Sequence, residues 1–321
     1  MSEARHVPVL MNEVLRTLEP QRCMGRSSFW LDGTLGLAGH AKALLENAGP
    51  TAFLVGTDRD PEALGLAGQA LNEYATRVHL VHKSFADLVD TDLADAPSAG
   101  GVFPGFDGIL LDLGVSSLQL DTSERGFSFM REGPLDMRMD PSSGLSAQDW
   151  LAEAREEELI RVLRDYGEER QARRMAKAVL AARDEGRLKT TRDLAQVAEK
   201  VLGRPPRSQI HPATRLFQAL RLAVNEELQA VERGLPVLAK FLAPGGRIAV
   251  ISFHSLEDRL VKDYFRRESR DCVCPPGLPE CRCGHRASLE LLTSKPLIAA
   301  GEEIDLNPRS RSAKLRAARR L

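Results

Sequence analysis

Apolar positions along this chain follow two regimes. In the first 113 positions, and again near residue 250, they gather in short runs with abrupt polar ends: 29–31, 52–55, 78–82, 106–113 and 247–253. Short continuous runs of this kind, closed by a glycine or an acid, predict strands buried on both faces. Helix-favouring stretches at 41–45 and 66–74 alternate with them. A Pro/Gly-rich loop over 97–105 precedes the fourth run, and Leu242-Ala-Pro-Gly-Gly246 makes a turn before the fifth. Strand and helix in alternation predict an α/β fold with a parallel sheet covered on both sides.

Between residues 112 and 247 the strand signal vanishes. Ala, Leu, Glu and Arg predominate from about 146 to 235, with apolar positions three and four apart, which predicts helices over 147–163, 168–183, 191–202 and 212–234. Gly186, Gly203 and Pro205-Pro206 punctuate them. The expected organisation is a sheet domain whose first part spans 1–140, an inserted all-helical substrate-recognition domain over 141–235, and the rest of the sheet domain with a basic C-terminal tail over 236–321. In the last of these helices Leu216, Leu220, Val224, Leu228 and Val231 form an apolar stripe. Arg215, Gln218, Arg221 and Asn225 fall on an adjacent face, placed either to contact phosphates and base edges or to pair with acids such as Glu226 and Glu227.

Composition narrows the class. The chain has 321 residues, 43% hydrophobic and 28% charged, the balance of a soluble globular protein. No apolar run approaches the roughly 20 residues that span a bilayer, and the first residues lack the charged-then-apolar pattern of a signal peptide, so a cytoplasmic protein is expected. The net charge of -1 conceals an asymmetry: residues 1–150 carry 11 Lys and Arg against 21 Asp and Glu, whereas 161–233 carry 16 against 10. The basic segment is either a set of solvated helix faces or the contact surface for a polyanion. Of the five cysteines, Cys272, Cys274, Cys281 and Cys283 lie close together. They make either a structural zinc site or a reduced, redox-sensitive surface loop, and no metal is assigned to the chemistry.

The chemistry gathers at the run ends. The first run delivers Asp32 and then glycines three apart, Gly33, Gly36 and Gly39; the second delivers Asp58, nineteen positions after Gly39. A carboxylate at that distance suits ribose hydroxyls. The glycine spacing is Gly-x-x-Gly-x-x-Gly, not the Gly-x-Gly-x-x-Gly of dinucleotide dehydrogenases, and Asp32 would repel a pyrophosphate. It suits a cation. S-adenosylmethionine, with its adenosine, sulfonium and ammonium, calls for a ribose acid (Asp58), a platform for adenine (Phe85) and carboxylates near positive charge (Asp32 or Asp112). His40 either contacts the cofactor or caps its helix. His254-Ser255 lacks the surroundings of a hydrolase nucleophile, and Ser255, with Asp258 three residues on, reads as a helix cap.

Asp32-Gly33-Thr34, Gly39-His40, Asp58-Arg59-Asp60-Pro61, the segment from Leu110 to Asp121, Glu124-Arg125-Gly126-Phe127-Ser128-Phe129 and Pro134-Leu135-Asp136-Met137-Arg138-Met139-Asp140 together resemble the MraW family of ribosomal RNA methyltransferases. So do Tyr166-Gly167-Glu168-Glu169-Arg170, His211-Pro212-Ala213-Thr214-Arg215, Asn225-Glu226, Ser252-Phe253-His254-Ser255-Leu256-Glu257-Asp258 and Asn307-Pro308-Arg309-Ser310. The resemblance implies a Rossmann-like class I S-adenosylmethionine-dependent sheet with a helical insertion. It also implies methyl transfer to N4 of a cytidine in the decoding region of 16S rRNA in the small ribosomal subunit, with neither DNA nor membrane as partner, by a monomer or homodimer. By the same resemblance the cofactor residues are Ala38, Gly39, His40, Asp58, Phe85, Asp112 and Gln119, Asp112 is the candidate catalytic group, and Ser116, Ser117 and 126–140 line the target pocket. The family usually shows Gly-Gly-His where this chain has Ala38-Gly39-His40, a change compatible with function if Ala38 keeps a negative φ. Many amino-methyltransferases carry Asp/Asn-Pro-Pro-aromatic at the matching strand end, but Asp112-Leu113-Gly114-Val115 has neither prolines nor an aromatic. RNA contacts are expected from Arg170, Arg173, Arg174, Arg215 and Arg221 and from Arg309, Arg311, Lys314 and Arg316 of the tail. Two other classes stay open: an RNA-binding assembly factor without catalysis, and a methyltransferase acting on protein or a small molecule.

Overall fold

The computed structural model describes residues 8–93, 103–203, 211–275 and 280–321. The chain divides into two compact units, Met1–Gly114 with Leu228–Leu321, and Val115–Glu227. In the first unit the order is α1 (Met11–Leu18), β1 (Ser28–Asp32), α2 (Gly39–Ala48), β2 (Ala52–Asp58), α3 (Pro61–Ala70), β3 (Val78–His82) and β4 (Phe106–Asp112). The second unit holds α4 (Ser117–Asp121), α5 (Ala147–Glu153), α6 (Glu156–Asp165), α7 (Ala172–Asp184), α8 (Thr191–Leu202) and α9 (Ala213–Val224). The chain then returns through α10 (Glu227–Phe241), β5 (Leu242–Ser252), α11 (Ser255–Glu268), β6 (Leu289–Leu291), β7 (Leu297–Ile298), α12 (Gly301–Leu306) and β8 (Lys314–Arg320).

One sheet runs β3-β2-β1-β4-β5-β8-β6, with β7 also paired to β8. β1 to β5 are parallel, and β8 runs antiparallel to β5, β6 and β7. Alternate residues face opposite cores, as strand geometry requires. Trp30, Leu110, Ala249 and Ile251 pack on one side with α1 and α2, and Phe29, Leu31, Ile109, Leu111, Ile248 and Val250 on the other with α10 and α11. The strand pairing brings Trp30 opposite Gly108, where a Cβ would lie 2.3 Å from the indole ring, so only glycine admits the Trp. This is the α/β sheet covered on both faces that the run pattern predicts, in the Rossmann-like form that the resemblance implies.

Several boundaries differ from expectation, each for a local reason. The helix expected over 66–74 starts earlier, because Asp60 caps it by accepting from the N–H of Glu62 (3.1 Å) and Pro61 fits its first turn. The helix expected over 147–163 is two: the chain is extended at Ala154 and Arg155, and Glu156, Glu157 and Glu158 give α6 an acidic start of its own. The helix expected from 168 begins at Ala172, since Glu168 is left-handed (φ 49°) and Glu169 accepts from the N–H of Gln171. The helix expected over 212–234 breaks at Asn225-Glu226, with Glu226 at φ 49°. Asn225 is buried there, donating to the carbonyls of Met137 (2.7 Å) and Arg221 (2.9 Å) and accepting from the N–H of Met139 (2.8 Å). The stripe is thereby split: Leu216 and Leu220 pack in the helical core, and Val231 in the sheet core.

The same packing moves the unit boundaries away from 141 and 235. Leu135 and Met137 belong to the helical core, whereas Ala230, Val231 and Leu235 pack with Val55 and Phe85. The basic tail is not a tail, because 314–320 forms strand β8, whose Leu315, Ala317 and Ala318 are fully buried. Pro205-Pro206, most of the 97–105 loop and the N-terminal residues weighed as a leader lie outside the described residues.

Candidate active site

Parallel strands present their carboxyl ends along one edge, and register fixes which residues share it. Asp32 ends β1, Asp58 ends β2, Asp112 ends β4, and β5 places Ile251 beside Asp112. The glycine turn after β1 is clamped on both sides: Gly33 N–H donates to Leu110 (2.9 Å), Leu35 N–H to Thr57 (2.9 Å), and the Thr57 hydroxyl to the Gly33 carbonyl (3.0 Å). Thr34 accepts from Asp112 N–H (2.6 Å) through its hydroxyl. A Cβ on Gly39 would lie 2.4 Å from Pro8, which explains the glycine at the start of α2.

Ala38 has φ 62° and ψ 20°. The condition of a negative φ is therefore not met: this alanine occupies a left-handed conformation that favours glycine, at a cost of about 1 kcal/mol. Ala38 stays buried, and its carbonyl accepts from Lys42 N–H, so the glycine-type turn is kept under strain.

The acids differ in how they are satisfied. Asp58 receives Gly36 N–H on one oxygen (2.8 Å) and Asp60 N–H on the other (2.9 Å), but burial outweighs these bonds and raises its pKa. Asp32 is 1% exposed and, among the described residues, accepts only from Thr34 N–H at 3.2 Å; burial, with the nearby Asp58 charge, pushes it up to about 7. Asp112 keeps 25% of its side-chain surface exposed, yet Oδ1 is buried and has no hydrogen-bond partner among the described residues. Burial first, then the charges of Asp32 and Glu257, raise its pKa well above the carboxylate range.

His40 lies in the first turn of α2, its Nε2 2.9 Å from the carbonyl of Val9 and its Nδ1 3.7 Å from Asp112 Oδ2. A carbonyl partner requires the proton on Nε2, so His40 ties down residue 9 while its other nitrogen faces Asp112. Phe85 is 7% exposed, and Gly234 of α10 sits so close that a Cβ there would lie 2.5 Å from its ring.

Two residues of this edge escape the sequence reading. Glu257, 1% exposed, accepts from Phe253 N–H (2.9 Å) and lies 3.1 Å from His254 Nε2. The cap of α11 is His254, whose Nδ1 accepts from Glu257 N–H, and not Ser255. Asp258 binds Arg316 (2.6 Å) instead of completing a capping box. The second is Phe253, whose ring would lie 3.1 Å from a Cβ on Gly114 (φ 107°). The aromatic missing from 112–115 is thus supplied by the neighbouring strand end. The signal was present: both residues come just after β5, at the same edge where Asp112 ends β4.

Gln119 belongs to the second unit. It is 4% exposed and completes a capping box with Ser116, each accepting from the other's N–H (3.1 and 3.2 Å). In the same unit Arg221 takes the alternative of pairing with Glu227 (2.9 Å), Gln218 donates to the Tyr166 carbonyl (3.0 Å) and Asn225 to that of Met137, so three of the four residues of that face make contacts within the fold. Arg170, Arg173, Arg174 and Arg215 remain exposed, as do Arg309 and Arg311 in the sheet unit. Arg316 pairs with Asp258 (2.6 Å), and Lys314 lies 3.9 Å from the same carboxylate.

No described helix is long and apolar enough to cross a membrane. A profile of the MraW methylase family matches residues 3–321. The Ribosomal RNA small subunit methyltransferase H of Syntrophotalea carbinolica is 51% identical over 99% of this chain and 98% of its own. The proteins of the same name from Geobacter sp. (strain M21) and Heliobacterium modesticaldum are 48% and 46% identical, covering 100% and 98% of this chain and the same shares of their own. With a profile match over nearly every residue and relatives near half identity along their whole length, the chain belongs to the MraW methylase family and is a methyltransferase.

Proposed function

We propose that this protein methylates N4 of a cytidine in the decoding region of 16S rRNA, in the cytoplasm and within the small ribosomal subunit, using S-adenosylmethionine. The observation that carries the reading is Asp112 Oδ1, a buried acceptor with no partner among the described residues, flanked by the charges of Asp32 and Glu257. Buried carboxylates without cations are costly, and a ligand bearing an ammonium and a sulfonium relieves that cost, so the donor set fits this cofactor. Asp58 would hold the ribose, the backbone of 38–39 would line the turn, and Asp32 would face the positive groups. When bound, S-adenosylmethionine supplies an electrophilic methyl on a positively charged sulfur.

The remaining work falls to the protein. A cytosine amine is a poor nucleophile because its lone pair is delocalised into the ring. Asp112 Oδ1 accepts one N4 hydrogen, which holds the lone pair out of the ring plane and directs it for attack. In its ionised form Asp112 is also placed to take the proton that N4 gives up as its bond to carbon forms. Phe253 offers an aromatic surface beside Gly114 for the extruded base. Exposed Arg170, Arg173, Arg174 and Arg215 would meet the phosphates.

Labelled methyl transfer into RNA from assembled small subunits, set beside naked RNA and ribosomal proteins, tests the substrate. Label confined to RNA is expected. Label in the protein fraction, or none at all, would discard the reading in favour of another substrate or a non-catalytic assembly role.

A further inference from the structure

Outside the methylation site one group of side chains is brought together with no structural explanation. Between α11 and β6 the chain makes a long connection in which no described residue from 270 to 288 is buried. Such a segment has no apolar core to order it. Even so, its four cysteines, Cys272, Cys274, Cys281 and Cys283, bring their sulfurs within 4.8 Å of one another.

We propose that these four cysteines form a structural zinc site that clips this connection closed. In extended backbone, residues i and i+2 face the same side, so Cys272-Val-Cys274 and Cys281-Arg-Cys283 each offer two sulfurs to one point. The tight Cys-x-Cys spacing is thereby compatible with a four-sulfur site. Around one zinc, bonds of about 2.3 Å at tetrahedral angles put sulfurs about 3.8 Å apart. Cys281 and Cys283 are 3.5 Å apart, and Cys283 and Cys272 are 3.9 Å apart. A multi-iron cluster spreads its four sulfurs over several metal atoms and needs a wider cage.

The surroundings suit thiolates. Val273 N–H points at Cys283 Sγ, Cys274 N–H at Cys272 Sγ and Arg282 N–H at Cys274 Sγ, each at 3.4 Å. Amide donors of this kind orient metal-bound sulfur and lower its charge density. One zinc with four thiolates carries a net charge of -2, and Arg267, Arg270, Arg282 and Arg286 are all exposed nearby in the chain. Zinc binding would release the four thiol protons to solvent. Among the described residues the segment's other contacts include His285 Nε2 with the Arg267 carbonyl (3.1 Å), Ala287 N–H to Asp271 (3.2 Å), the Ser288 hydroxyl and N–H to Glu268 (3.1 and 2.9 Å), and Leu321 N–H to the Ser288 carbonyl (3.1 Å). None of them would gather the cysteines.

The test is metal analysis of the full-length protein, purified reduced and without chelator. About one zinc per chain is expected, falling to below about a tenth in Cys281→Ser/Cys283→Ser. Reduced apo-protein titrated with Co(II) should develop the visible spectrum of tetrahedral thiolate cobalt at one equivalent, and the double variant should not. A strong chelator should lower the melting temperature of the wild type and leave that of the variant unmoved. Metal-free fresh protein that also fails to give the cobalt spectrum would overturn the proposal. So would iron with acid-labile sulfide, or a mass showing the cysteines paired as disulfides.

Discussion

The acids of the sheet edge and the acids of the helical unit are treated in opposite ways. In the helical unit Asp136, though partly buried, is held below the ordinary carboxylate range by hydrogen bonds from Arg138, and Asp193 by the N–H groups of Lys189 and Thr190. Asp165 is lowered by Arg164. At the sheet edge Asp32, Asp58 and Asp112 are all raised by burial. Depressed carboxylates stabilise the fold at neutral pH, and that contribution fades as acid protonates them. Raised ones do the reverse, since the unfolded chain holds fewer protons than the folded one between the two pKa values, so ionising them on the way to pH 7 and above destabilises the native state. Charge that weakens the empty protein is charge reserved for a cationic ligand.

That contrast can be broken most directly at Asp112. Asp112→Asn should cut the single-turnover methylation rate at saturating cofactor by about 100-fold while raising the melting temperature of the ligand-free protein. An unchanged rate would confine Asp112 to holding the cofactor. Next in size is the salt response of RNA binding. If three of the exposed arginines contact single-stranded RNA phosphates, affinity should fall about 20-fold between roughly 50 and 200 mM salt, and Arg173→Ala/Arg174→Ala should flatten the slope. A salt-independent affinity would end the polyanion reading of the helical unit.

The pH dependence sharpens the comparison further. Because Asp32 titrates at about 7, S-adenosylmethionine should bind about tenfold more tightly at pH 8 than at pH 6, as followed by calorimetry. Over the same interval the ligand-free protein should lose stability. The smallest effect is at Ala38, where Ala38→Gly should stabilise the protein by about 1 kcal/mol in denaturant unfolding, by relieving the left-handed alanine. A loss of stability would mean that the Ala38 methyl contributes packing greater than its strain.

What was legible from sequence was whatever depends on local pattern. Runs ending in acid located β1, β2 and β4 together with Asp32, Asp58 and Asp112, because a buried parallel strand shows as an uninterrupted apolar stretch. Positions governed by distant partners were not legible. The left-handed Ala38 follows a turn held to β4 through Gly33 and to β2 through Leu35, partners remote in sequence. Asp258 read as the capping acid of Ser255, whereas His254 caps α11 and Asp258 binds Arg316. The helix break at Asn225 is decided by an amide that finds tertiary partners, and at the break after Glu153 the Ala154 carbonyl accepts from Arg183, contacts that periodicity does not register. Residues 314–320, rich in Arg and Lys, read as a solvated tail because charge hid the alternation of Leu315 and Ala317. The gathering of four sulfurs across a connection of unburied residues could be suspected from spacing but not placed.

The position of β8 bears on how the polypeptide is made. Its hydrogen bonds complete β5 on one side and support β6 and β7 on the other, so a nascent chain that has emerged only through β5 exposes a long apolar strand with one unpaired margin, a template for self-association. Synthesis must carry on past Arg320 before that margin closes. Shortening the gene from its 3′ end should therefore yield inclusion bodies well before it removes any residue of the methylation site.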